Sequence, residues 1–355
     1  MDKFRIDSHK LTYHVQRVHD WLNGKNIYPV YIEISPTGAC NHRCIFCGLD
    51  FMEYKARSLD TALLKERLKE LGELGVKSIM YAGEGEPFLH RDIVEIIQHT
   101  KNSGIDVAVT TNGVLFSKEK AENSLGYMEW IKIGIDAGTK ETYAKIHRCR
   151  EQDFDRLIEN MKEAVRIKRK SGYSCAIGAQ ALLLPDNQKE MVGLAKLIKD
   201  IGLDYLVVKP YSQHPQSKTK QYSEIKYDDY GGLEEQLSQL KSDKFQVIVR
   251  IHTMRKWDDK KKEYECCLAL PFWSYIDAGG NVWGCSVYLG DERFFYGNIN
   301  EQSFKEIWES QKRVDSLRFV QEKLNASTCR VNCRMDEVNR YLWELKNPPD
   351  HVNFI

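Results

Sequence analysis

The 355-residue chain has no excess of charge of either sign: 52 lysines and arginines face 51 aspartates and glutamates, a formal net charge of +1. That balance removes any global electrostatic reason to expect nucleic acid as a partner. The local run Lys260-Lys261-Lys262 reads as a solvated loop. No apolar stretch approaches the roughly 20 residues of a spanning helix, and Met1 to Asp7 lack the hydrophobic segment of a signal peptide. There is no low-complexity tract. A soluble, cytoplasmic protein without a membrane partner is expected, large enough for a main domain plus a smaller one.

Paired C-x2-C spacings are also missing, and a compartment that keeps thiols reduced gives little reason for disulfides. The ten cysteines then call for metal or redox chemistry. They fall into two groups, Cys40, Cys44 and Cys47 near one end and Cys266, Cys267, Cys285, Cys329 and Cys333 near the other, with Cys149 and Cys175 alone between them. The first group has the spacing C-x3-C-x2-C. Thiolate is the soft ligand that iron–sulfur chemistry prefers, and three in one short loop can hold three corners of a 4Fe-4S cluster while the fourth iron stays open. The alternative is a closed zinc knuckle completed by His42 or a distant cysteine.

Apolar residues recur at helical spacing in residues 8–23 (Leu11, Val15, Val18, Trp21, Leu22), with Ser8 as N-cap and Gly24 as stop; this predicts a helix packed outside the main fold. Strands are expected at 30–35, 77–82, 105–110, 130–135, 175–184 and 205–208, with helices at 59–74, 93–100, 139–147, 153–170 and 187–200. Regular alternation argues an α/β fold with a parallel sheet and functional loops at the carboxyl ends of its strands. Six units fall short of a closed eight-stranded barrel, so a partial (β/α)6 TIM-like barrel is expected, with a doubly wound sheet as the competitor. Residues 211–265, containing a helix at 233–240 and a strand at 245–251, read as linker and cover. Beyond Cys266 a hairpin (273–277, 281–285) turns at Gly279-Gly280, and helices follow at 303–310, 312–324 and 335–346. The expected divisions are 1–28, 29–211, 212–265 and 266–355.

With Phe46 at the aromatic position, Cys40, Cys44 and Cys47 make the loop resemble the cluster signature C-x3-C-x-aromatic-C of the radical S-adenosylmethionine (SAM) superfamily. The resemblance implies that the open iron binds the amino and carboxylate groups of SAM, whose reductive cleavage gives methionine and a 5'-deoxyadenosyl radical. Gly83-Glu84-Gly85-Glu86-Pro87 is similar to the family's glycine-glutamate motif for the methionine amino group, with G-E-G-E-P in place of G-G-E-P. Thr111, Asn112 and Gly113, and Asp136, fall where the family lines the SAM pocket with polar groups; Asn-Gly and Asp-Ala-Gly are also ordinary turn formers.

Cys267, Gly280 and Cys285 match the hairpin of the superfamily's SPASM and twitch auxiliary-cluster domains, and Gly297-Asn298-Ile299 and Phe304 to Trp308 resemble its continuation. A full SPASM domain needs more cysteines than remain. The resemblance therefore implies one fully ligated auxiliary 4Fe-4S cluster on Cys267, Cys285, Cys329 and Cys333, with Cys266 as an alternative ligand and a zinc ion as an alternative metal.

The implied activity is hydrogen abstraction from a substrate carbon, followed by dehydrogenation or epimerisation. A closed second cluster offers electron transfer or structural support. Lys209 and Tyr211 are the candidate proton handlers; Cys149 and Cys175 are the candidate hydrogen donors, although a lone cysteine is usually a small buried hydrophobe. The expected substrate is a carbohydrate or aminocyclitol-type small molecule, the reductant a flavodoxin- or ferredoxin-type donor. A ribosomally made peptide is the alternative substrate, and a non-catalytic iron–sulfur or zinc protein the alternative class.

Overall fold

The computed structural model describes residues 4–6, 8–227 and 231–354. Expectations touching Met1 to Lys3, Asp7 and Ile355, or Asp228 to Tyr230 in the cover, lie outside the described residues. The chain opens with α1 (Val15–Leu22) and then alternates: β1 (Tyr31–Ile34), α2 (Thr61–Glu73), β2 (Ser78–Tyr81), α3 (Ile93–Asn102), β3 (Asp106–Thr111), α4 (Lys118–Ser124), β4 (Trp130–Gly134), α5 (Lys140–His147), α6 (Glu151–Ser171), β5 (Ala176–Leu183), α7 (Met191–Ile201) and β6 (Tyr205–Pro210). There follow α8 (Gly231–Ser238), β7 (Gln246–Val249), α9 (Ile251–Asp259), the hairpin β8 (Trp273–Ile276) and β9 (Asn281–Trp283), β10 (Phe295–Asn298), α10 (Phe304–Trp308), α11 (Gln311–Glu322) and α12 (Asp336–Lys346).

All ten strands form one sheet in the order β10-β9-β8-β1-β2-β3-β4-β5-β6-β7. From β1 to β7 every strand lies beside its predecessor and parallel to it. A doubly wound sheet reverses its order at a switch point; this one never does, and its two free ends make it an open barrel. Two expectations change. The strand in the cover segment, β7, is a seventh barrel strand, pairing Val208 with Val249, and α9 follows it at once where a longer strand was expected. The C-terminal hairpin joins the same sheet, because β8 pairs parallel with β1. Among the described residues no helix is long and apolar enough to cross a membrane.

Strand periodicity sorts the two faces. Ile32, Ile34, Ile79, Tyr81, Val107, Val109, Ile131, Ile133, Leu206 and Val208 point outward into one core shared with the helices. The alternate residues line the inside, where Met80, Ala82 and Ala108 pack with Trp130. Phe4 and Ile6 pack against Tyr205, Val207 and Ile248, so the segment before the helix reaches the inner face. The helix itself starts late: Leu11 is buried in a 3-10 turn, and His14, not Ser8, occupies the N-cap, without a side-chain bond. α1 then packs Trp21 on Phe272, ring centroids 5.5 Å apart.

Candidate active site

The turn after β1 delivers the cysteine loop, which backbone bonds fasten from three sides. Glu86 N–H donates to the Ala39 carbonyl (2.8 Å), and Arg43 and Ile45 N–H groups donate to His147 and Ile146 carbonyls at 3.0 and 2.9 Å. From the cover segment, Ser217 Oγ donates to the Cys47 carbonyl (3.0 Å) and Thr219 Oγ1 to the Ile45 carbonyl (2.8 Å). The close approach explains Gly85: a Cβ there would lie 2.2 Å from the Thr37 carbonyl oxygen. Gly83 has φ +107°, and its Cβ would fall 2.6 Å from Tyr275 Oη.

Cys40, Cys44 and Cys47 are free thiols. Burial pushes Cys40 up to about 12, and Cys44 is raised by burial and then by Cys47 and Cys40. Such thiols ionise together only around a cation, which fits a metal-loaded loop. Zinc with thiolates at 2.3 Å would bring sulfurs to roughly 3.8 Å of one another. Among the described residues the triads whose ligand atoms come within 4.8 Å are His42, Cys44, His147 and His42, Cys149, Asp153. Neither contains two loop thiols. Among the described residues His42 is not drawn together with two or more loop thiols, and its Nε2 lies 3.5 Å from Asp153 Oδ2.

The two glutamates of the G-E-G-E-P turn are committed to the protein. Glu84 accepts from Arg57 Nη2 with both oxygens at 3.2 Å and from Ala278 N–H at 2.8 Å, which ties the barrel to the hairpin turn. Glu86 accepts from Thr111 Oγ1 (2.6 Å), Asn112 N–H (2.8 Å) and Phe88 N–H (3.0 Å). Asn112 Nδ2 in turn donates to Asn41 Oδ1 in the cysteine loop at 2.8 Å. Thr111 and Asn112 therefore sit beside the cysteine loop, and both glutamate carboxylates are engaged by protein donors. Asp136 lies close to both Cys44 and Lys209. Buried, it accepts from Leu182 N–H at 2.6 Å and lies 3.4 Å from His147 Nε2; His147 Nδ1 lies 3.2 Å from Cys44 Sγ, and its ring 5.6 Å from that of Phe46. Burial raises Asp136 to about 7.

Of the four proposed reacting groups, Lys209 alone faces the inner wall free of a hydrogen-bond partner. It lies near the carboxyl end of β6, opposite Leu182, and burial, then Lys132, Arg250 and Arg330, hold it well below the usual lysine range. Tyr211 is enclosed by Tyr222 and Trp257; its hydroxyl donates to Gln213 Oε1 at 2.8 Å, and burial raises it to about 12. Cys175 is 1% exposed in the outward core at the amino end of β5, since Ala176 after it faces inward. Cys149 lies between α5 and α6 with His42 and Asp153. Neither thiol lines the inner wall, so the expectation of a hydrogen donor among them is not met.

At the other end, Cys267, Cys285, Cys329 and Cys333 line one pocket with Leu270, Val287 and Phe294. Cys266 packs on the opposite side, with Leu342 and Leu268. Each of the four sulfurs has a polar neighbour: Val287 N–H on Cys285, Met335 N–H on Cys333 and Asn339 Nδ2 on Cys267, all at 3.4 Å, and Tyr288 Oη 3.2 Å from Cys329. Hydrogen bonds to sulfur within an apolar shell are how proteins hold and tune iron–sulfur clusters. These sulfurs, too, are not drawn together within 4.8 Å, which suits a cluster better than one zinc ion. Unread in the sequence were His147, Arg57, and the strap at 212–219; Asp50, which accepts from Lys218 and Thr219 N–H groups at 2.8 and 2.9 Å, holds the strap down.

An open parallel barrel with a three-thiol loop after its first strand, and a closed four-thiol pocket beyond its last, defines a cluster-dependent radical enzyme with an auxiliary centre. Residues 34–198 match the family model described as the radical SAM superfamily, and residues 266–334 match SPASM, the iron-sulfur cluster-binding domain. The chain belongs to the radical SAM superfamily and carries its 4Fe-4S, SAM and auxiliary-cluster requirements. It is similar to a probable GTP 3',8-cyclase of Methanothermobacter thermautotrophicus, 26% identical over 237 residues covering 66% of this chain and 72% of the relative. It is also similar to an AdoMet-dependent heme synthase of Methanosarcina barkeri, 25% identical over 306 residues covering 81% and 84%. Among solved structures, SuiB of Streptococcus suis bound to its precursor peptide SuiA superimposes with a TM-score of 0.64 at 20% identity, covering 84% of this chain and 69% of that one. That likeness is one of fold.

Proposed function

We propose that this enzyme dehydrogenates an alcohol carbon of a carbohydrate or aminocyclitol-type small molecule, with Cys40, Cys44 and Cys47 holding the SAM cluster and Cys267, Cys285, Cys329 and Cys333 the auxiliary one. When bound, SAM and its cluster supply the hydrogen-abstracting radical, and the auxiliary cluster accepts the remaining electron. The chain's own task is the proton. The observation that carries the reading is Lys209: it stands on the inner wall at the reacting end of β6, and its neighbours keep it ready to accept the hydroxyl proton as the ketone forms. Asn112, Thr111 and the Gly83–Gly85 backbone orient SAM from the β2 and β3 loops. Oxidation is favoured over epimerisation because Cys149 and Cys175 lie off the inner wall. A flavodoxin- or ferredoxin-type protein is the expected reductant.

A peptide substrate is the second reading, favoured by the fold shared with peptide-bound SuiB. The test is anaerobic reconstitution with dithionite and SAM. Formation of 5'-deoxyadenosine and methionine is expected in wild type and in Lys209→Met, while ketone formation from a panel of sugars and aminocyclitols drops about 10²- to 10⁴-fold in the variant. Absence of 5'-deoxyadenosine from the loaded wild type overturns the radical chemistry, and an unchanged ketone yield in the variant overturns the role of Lys209.

A further inference from the structure

The inner wall carries a lysine that no acid among the described residues pairs with. Lys132, at the middle of β4, is half-buried and faces inward between Trp130 and Gly134. Its ammonium has no hydrogen-bond or ion-pair partner among the described residues and lies 5.3 Å from the centroid of the Trp130 ring. Burial, then the cations Arg334 and Arg250, lower it to about 8, against a single opposing acid, Glu33. That acid is already engaged, in an ion pair with Arg334. One inward position further along β5, opposite Gly134, Gln180 is half-buried on the same inner face, and its side-chain amide makes no hydrogen bond to the described residues. A sheltered cation held among cations, beside an uncommitted amide, costs folding free energy that an arriving anion offsets.

We propose that Lys132, assisted by Gln180, anchors an oxyanion of the substrate, a phosphate or carboxylate, below the reacting carbon. The assignment rests on reading the barrel interior as the substrate chamber and narrows the substrate to one carrying an acidic group. In strand register Lys132 lies opposite Gly178, four residues before Leu182, which is opposite Lys209. The anchor and the proton acceptor therefore stand at different depths of the same wall, and one elongated molecule can reach both. An oxyanion between Lys132 and Gln180 accepts from an ammonium and an amide, the charge-assisted pairing that is strongest where water is scarce.

The competing source of the same chemistry is the carboxylate of SAM. The test titrates holoenzyme, both clusters loaded, with inorganic phosphate and with acetate at constant ionic strength, and separately with SAM, each followed by calorimetry. Saturable binding of one of the two anions is expected in wild type, weakened at least tenfold in Lys132→Met and retained in Lys132→Arg and in the surface variant Lys196→Met, with SAM affinity unchanged throughout. Wild-type holoenzyme that binds neither anion, or a Lys132→Met variant that binds them as well as wild type, overturns the proposal. So does loss of SAM affinity in Lys132→Met with anion binding intact, which assigns the lysine to the cofactor. If Lys132→Met misfolds by circular dichroism, Gln180→Leu carries the same comparison. Because anion binding needs no electron, it reads out even where 5'-deoxyadenosine formation fails, and the two readings fall separately.

Discussion

The two thiol sites differ in what surrounds them. The loop after β1 is flanked by an open cleft of about 400 Å3 lined by Arg43, Asp50, Glu53, Arg148 and Lys218, and its backbone is fastened at several points. The distal four thiols sit in an apolar shell, each sulfur with its own polar neighbour. An open corner needs access and a rigid frame; a closed centre needs shelter and tuning. On the proposed function, bond breaking falls to the first site and charge transfer to the second.

The sharpest break of this comparison is to delete one thiol from each. Cys44→Ala is expected to stop 5'-deoxyadenosine formation altogether, and Cys285→Ala to spare uncoupled SAM cleavage while stopping net oxidation. Either variant should hold roughly four irons where wild type holds roughly eight; iron and sulfide analysis together with product chromatography decides it, and a zinc atom in place of the second set would contradict the cluster assignment.

A smaller effect is expected where the two sites are joined. His214 stacks on Phe51 (4.9 Å), beyond the first loop, and its Nε2 lies 3.1 Å from the Ser286 carbonyl next to Cys285. Burial lowers its pKa from 6.5 to about 4. A histidine with a depressed folded pKa favours folding fully above 6.5, and that contribution is lost as pH falls from 6.5 through 4, because the unfolded chain binds the proton first. Up to about 3 kcal/mol is at stake, from 1.36 kcal/mol per unit. Urea titrations at pH 7.5 and 4.5 should show the loss in wild type and less of it in His214→Gln.

Smallest is the tie between barrel and hairpin. Arg57→Met leaves Glu84, 2% exposed, with the Ala278 N–H as its remaining partner. The expected loss is about 2 kcal/mol, below the range for a fully buried pair because Arg57 is one-third exposed. Equilibrium unfolding measures it, and Glu84→Gln with Arg57→Met together should recover part of it.

Much of this was legible because it is local. The cysteine spacing, the order of β1 to β6 and the hairpin turn at Gly279-Gly280 follow from patterns a few residues long, and their observed bounds differ from expectation by one or two residues. What escaped depends on distant partners. α4 was missed because its seven residues are almost all polar, with Ala121 and Ser124 alone buried. β7 was seen as a strand but not as part of the barrel, since nothing in 246–249 names its neighbour β6. Glu84 looked like a cofactor ligand because the Ala278 N–H that claims it lies 194 residues away. Lys132 was passed over as one lysine in an ordinary strand; its meaning comes from Arg334 and Arg250, on other elements.

The strap at 212–219 has a consequence for how the protein is made. It covers the first loop through Ser217 and Thr219, yet Ser212 is gripped by Arg330, Nε to Oγ at 2.8 Å and Nη2 to the carbonyl at 2.6 Å, and Arg330 is synthesised more than a hundred residues later. A chain emerging from the ribosome folds its earlier units first. It thus passes through an interval in which the first cysteine loop is complete while the strap is not yet latched by Arg330.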